Sequence, residues 1–95
     1  MQNYIVVIEK AGENYSAFSP DLPGCITEGN SIDETIGFIK EAIELYLEVI
    51  AEEGENFPFS KGLRHHIEQG IFDENKIAEE FYIARVEVHS PNIAA

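Results

Sequence analysis

The chain has 95 residues, 44% of them hydrophobic, enough for one compact domain with a single core and not for two. Its 18 acidic against 6 basic residues give a net charge of −12, which withholds the lysine and arginine that phosphate neutralisation needs and sets direct nucleic-acid binding aside. One cysteine excludes an internal disulfide framework and a zinc knuckle, and the short apolar run Tyr4–Ile8, with no basic stretch ahead of it, suits neither a signal peptide nor a membrane span; a soluble cytoplasmic protein is expected.

The chain opens with "NYIVVIEK" (3–10), a short β-branched run that predicts a central strand. "AGEN" (11–14) supplies turn residues, "YSAFS" (15–19) a second strand and "CITEG" (25–29) a third. At Ser31 the period changes. "SIDE" reads as a capping box in which Ser31 accepts the Glu34 N–H while the Glu34 side chain reaches back. Ile32, Ile36, Ile39, Ile43, Tyr46, Leu47 and Ile50 then recur at helical spacing, and Phe38, Leu45 and Val49 widen the apolar side. This helix is predicted to end near Glu53, with Gly54 as the residue beyond the cap.

Beyond a loop at 55–60, "KGLRHHIEQG" (61–70) predicts two helical turns, and "DENKIAEE" (73–80) a further short helix capped by Asp73. "FYIARVEVH" (81–89) is the closing strand, with Tyr82, Ala84, Val86 and Val88 on one face and Phe81 and Ile83 starting the other. The tail "SPNIAA" is expected to fray. The order β-β-β-α-(α)-β predicts an α+β two-layer domain over 1–95, with an insertion at about 55–80 and the long helix on one face of the sheet. The other face needs a cover too, from the 57–72 segment, a partner or a second copy. A homodimer or higher homo-oligomer is expected, using the face of Tyr82, Ala84, Val86 and Val88; alternatively that face is plain core.

"SPDLPGC" (19–25) carries two prolines, which fix φ and remove two backbone donors, beside Asp21, Leu22 and Gly24. A plain hairpin needs fewer constraints. Either the stiff loop presents Asp21 and Leu22 in a fixed pose, or it only sets strand geometry.

The stretch "YIVVIEK…YSAFSPDLPGCITEGNSIDETIGFIKEAIELYLEVIAEEG", with the closing strand 81–88, resembles the N-terminal domain of the HicB antitoxin family. The proline-braced D-L-P-G-C loop followed at this distance by a capped acidic helix is the specific part. The resemblance implies a partial RNase H-like fold without nuclease activity or cofactor. It implies binding to HicA, a small basic toxin that cleaves mRNA. Members of the family usually append a DNA-binding domain, for which the few residues after Val88 leave no room, so direct operator binding is not expected. Asp21, Leu22, Pro23 and Gly24 of the loop and Glu41, Glu44 and Glu48 of the helix are the expected partner contacts. The acidic helix face is otherwise an ordinary solvated one.

Two other readings stand beside this one. The first is a regulatory or scaffold domain that binds another protein or ligand through its 55–80 insertion. The second is a metal-dependent RNase H-like hydrolase, which needs converging carboxylates. The first strand has none at its middle, and Glu9, Asp21, Glu28 and Asp33 are scattered. His65 and His66 are adjacent, hence splayed on a helix or strand and poor joint metal ligands. Cys25 has no basic neighbour to activate it. No catalytic or metal-ligating residue is expected.

Overall fold

The computed structural model describes residues 2–56, 58–73 and 75–89. The elements are β1 (Gln2–Ala11), β2 (Asn14–Phe18), β3 (Ile26–Gly29), α1 (Ile32–Glu52), α2 (Leu63–Glu68) and β4 (Phe81–Val88). The strands form one antiparallel sheet in the order β3-β2-β1-β4. The α+β class expected from the sequence is the one observed, and the closing strand lies at an edge. No described helix is long and apolar enough to cross a membrane.

The hairpin β1–β2 turns on two residues, Gly12 and Glu13, between the paired Ala11 and Asn14. Gly12 has φ of 64°, and a glycine in the first central position suits the twist of a tight hairpin. β1 is central and buried on both faces, so its apolar run is continuous instead of alternating. Tyr4, Val6 and Ile8 share one face with Val86 and Val88 of β4, Ala17 of β2 and the loop residues Leu22 and Cys25. Ile39, Ile43 and Leu47 of α1 complete this core, all fully buried. Each such side chain contributes about 1.5–3 kcal/mol by leaving water.

α1 is closed at both ends by its own sequence. Ser31 Oγ accepts the Glu34 N–H at 3.1 Å, and Glu34 Oε1 reaches past Ser31 to accept the Asn30 N–H at 3.1 Å. At the far end Gly54 (φ 73°) donates to Ala51 O and Glu55 to Ile50 O, the paired bonds of a Schellman motif. Phe38, Leu45 and Val49, which widen the apolar side, are exposed, because the buried arc of α1 is narrower than the apolar arc of its sequence.

Ile5 and Val7 point away from α1 yet are 5% and 0% exposed. On that side the described residues of the 58–80 segment reach β1 through Glu9, which shares their face, and reach Phe18, the partner of Val7 on β2, through the cleft that His66 and Ile71 line. This segment contains α2 and continues as turns. The helix expected at 73–80 does not appear among its described residues. Beyond one Asp73–Lys76 turn, the Ala78 N–H goes to Glu9 Oε2 at 3.1 Å and Glu80 O accepts from Lys10 N at 3.0 Å, which draws the backbone out along β1.

Candidate functional site

The proline-braced loop leaves β2 and returns as β3 through its own hydrogen bonds. Leu22 N donates to Ser19 O at 3.1 Å, Cys25 N to Leu22 O at 3.0 Å, and Ser19 Oγ to Ile5 O at 3.0 Å. Gly24 takes φ of 84°, closed to most side chains. The loop is rigid, but it does not present its residues as expected. Leu22 is fully buried in the core, and the Asp21 side chain is only 1% exposed. Pro23 and Gly24 remain on the surface.

Asp21 points inward, where Lys61, just ahead of α2, and His66 of α2 meet it. Its Oδ1 accepts the Lys61 N–H at 3.0 Å and lies 3.1 Å from His66 Nε2. Oδ2 is buried and has no donor among the described residues. His65 stands edge-on to His66, with centroids 5.2 Å apart and planes at 80°. Around them lies a cleft of about 520 Å³ between the loop and α2, reaching Phe18, Gln69 and Ile71. Burial pushes the Cys25 thiol above its ordinary value, and burial followed by the charge of Asp21 does the same for the Tyr4 phenol. A thiol held protonated is a weak nucleophile.

The acids named for a metal site are dispersed. Glu9 holds the Ala78 N–H, Asp21 holds α2, and Glu28 and Asp33 are exposed on β3 and in the first turn of α1. No group of three or more His, Cys, Asp or Glu among the described residues is placed to hold a metal ion.

On α1, Glu41 and Glu48 are exposed and seven residues apart on one side, while Glu44 is half-buried and accepts the His89 N–H at 3.4 Å. Glu41 and Glu48 therefore sit on the open side of the helix, while Glu44 is drawn toward the end of β4. The face of β4 named for a homodimer is the core face. Val86 lies opposite Tyr4 and Val88 opposite Gln2, which turns both valines under α1, at 5% and 1% exposure. Ala84 is half-buried, Tyr82 is 40% exposed, and the outer edge of β4 pairs with no described strand. The Asp21–His66 pair is the feature that sequence reasoning missed. Nothing local links residues 45 positions apart.

Comparison with known proteins agrees with this geometry. The model of a family described as HicB_like antitoxin of bacterial toxin-antitoxin system matches residues 4–89. An uncharacterised 14.9 kDa protein of Haemophilus phage HP1 is 35% identical over 66 residues, covering 70% of this chain and 50% of that protein. A UPF0150 protein of Archaeoglobus fulgidus is 49% identical over 55 residues, covering 55% and 80%. The chain thus spans half the length of its phage relative. Among solved structures, the N-terminal domain of Burkholderia pseudomallei antitoxin HicB superposes with a TM-score of 0.71 at 25% identity, covering 93% of this chain and 99% of that one. A chain of the HicA3 and HicB3 toxin-antitoxin complex gives 0.67 at 25% identity with the same coverage.

Proposed function

The chain belongs to the family of HicB-like antitoxins of bacterial toxin–antitoxin systems, and we propose that it binds and neutralises a small basic toxin of the HicA type in the cytoplasm, without catalysis of its own. The observation that carries this reading is the exposed acidic side of α1, where Glu41 and Glu48 stand on a helix fixed at both ends, in a chain of net charge −12. Such a field speeds encounter with a cationic protein and makes it salt-sensitive. The likeness to one chain of a HicA3–HicB3 complex supports the same partner class. Pro23 and Gly24, exposed at the tip of the rigid loop, provide a second contact that loses little entropy on binding. A homodimer is part of the proposal, and the outer edge of β4, which pairs with no described strand, is with Tyr82 the surface that favours it.

The test is reconstitution. A HicA-type toxin mixed with this chain should form a complex on size exclusion and lose its RNA cleavage, with affinity falling as salt rises. A toxin that cleaves RNA at an unchanged rate in the presence of excess chain removes the proposal.

A further inference from the structure

α1 carries two apolar stripes, and the fold uses one. Ile39, Ile43, Leu47 and Ile50 are buried against the sheet. Phe38, Ala42, Leu45 and Val49 form a second stripe, rotated by roughly 120° around the axis at 100° per residue. This stripe is open to solvent: Phe38, Leu45 and Val49 are 41%, 61% and 46% exposed. Its spacing of four, three and four residues is the alternation by which one helix packs along another. A groove of about 450 Å³ separates it from Ile26 of β3, itself 64% exposed. Large apolar side chains gathered this way on a small acidic chain mark an interaction site.

The charges beside the stripe select the occupant. Glu34, Glu41 and Glu48 recur every seven residues along its outer flank, all exposed, and Glu53 closes its C-terminal end. Lys40 is the one basic residue of α1. It lies roughly 100° further round than Glu41, on the side away from the stripe. A second copy is a poor occupant. In an antiparallel pair the glutamate flanks would face each other, and in either orientation two chains of −12 would meet without a cation between them. A helix with its own apolar stripe flanked by lysine or arginine satisfies both the groove and the charge.

The geometry points to this second stripe of α1 as a docking seam for a basic amphipathic helix of a partner protein. The partner's apolar side chains seat on Phe38, Leu45 and Val49, and its cations meet Glu34, Glu41 and Glu48. The inference rests on the antitoxin reading only in that a basic partner is expected; it names the partner's structural element and its contact on this chain.

The probe is a synthetic three-heptad peptide with leucine at the a and d positions and lysine at the flanking e and g positions, titrated into the full chain by calorimetry and by amide shifts in NMR. Binding is expected to move the amides of Phe38–Val49 and Ile26. A scrambled peptide of the same composition should bind roughly tenfold more weakly or worse. Leu45→Asp with Val49→Asp should abolish the preference for the ordered peptide. Both positions are exposed, so far-UV dichroism and melting should stay native. Glu41→Lys with Glu48→Lys should transfer binding to a glutamate-flanked version of the peptide. Equal binding of the scrambled and ordered peptides overturns the seam, as does a charge-reversed variant that keeps the lysine peptide. So does a self-associated chain that Leu45→Asp disperses, which would make the occupant a second copy. A toxin neutralised equally well by the Leu45/Val49 variant sinks the seam and leaves the antitoxin reading standing. Ordered-peptide binding without any toxin neutralisation does the reverse.

Discussion

The sheet has two covers, and they are held by different physics. α1 lies on one face through aliphatic side chains at helical spacing, with Ser31 and Gly54 closing its ends. The 58–80 segment covers the other with little regular structure. It is fastened by hydrogen bonds from distant side chains, with Asp21 holding Lys61 and His66 and Glu9 holding Ala78, while Tyr4 Oη, from the α1 side, lies 2.6 Å from Pro58 O where the segment begins. Phe72 stacked on Phe81 at 5.1 Å adds one apolar contact at the end of the segment. A cover that shares the core fails only when the whole domain fails. A stapled cover can lift while the sheet beneath it persists. The difference puts the fixed element at α1 and the removable one beside the proline-braced loop.

The largest effect should come from the first cover. Leu47→Ala empties a fully buried position and is expected to cost about 2–5 kcal/mol, read from chemical denaturation of the whole chain. The second cover should answer less, and locally. Asp21→Ala removes the acceptor of the Lys61 N–H and strands the His66 ring, at a cost of about 2 kcal/mol. Amide exchange in α2 should accelerate while β1 keeps its protection. If β1 amides exchange in step with α2, the covers form one cooperative unit and the comparison fails.

The two covers were also unequally legible. The capping box at Ser31, the spacing of Ile39, Ile43 and Leu47 and the glycine at Gly54 are local signals, and they appear in the structure as read. Asp21 was singled out as a partner contact, and the direction of its side chain was not readable. The choice between solvent and interior depends on donors at Lys61 and His66, which no local pattern ties to the loop. β4 shows the same limit in another form. Its alternation was visible, but both faces of β1 are apolar, so parity alone did not say which face of β4 meets α1. Phe38, Leu45 and Val49 were read as widening the apolar side, and they stand exposed because periodicity reports how wide an apolar arc is, not how much of it the sheet can cover.

A smaller perturbation sharpens the contrast. Ser31→Ala leaves the Glu34 N–H without its acceptor and is expected to cost about 1 kcal/mol. Because the cap belongs to α1, this loss should appear as a uniform drop in global stability, with α2 exchanging no faster than that drop requires. Selective opening of α2 in this variant would mean that the second cover leans on the first.

The smallest effect concerns the phenol at the junction of the covers. Tyr4 Oη lies 2.6 Å from both Pro58 O and Gln2 Oε1, and its single proton serves one of them at a time. Burial, and then the charge of Asp21, raise its pKa above the ordinary 10.0. The unfolded chain therefore loses this proton at a lower pH than the folded one. The stabilisation is complete below 10.0 and is lost as pH rises through that value toward the raised one. Cys25, raised by burial from 9.0, contributes a loss of the same sign that begins earlier. Tyr4→Phe separates the two. It should cost no more than about 1 kcal/mol at neutral pH, the worth of one hydrogen bond. Above 10.0 its stability should fall less steeply than that of the unaltered chain, since the thiol slope remains and the phenol slope is gone. Parallel curves for the two chains would show that the Tyr4 hydroxyl is no staple, and that the 58–80 cover hangs on Asp21 and Glu9.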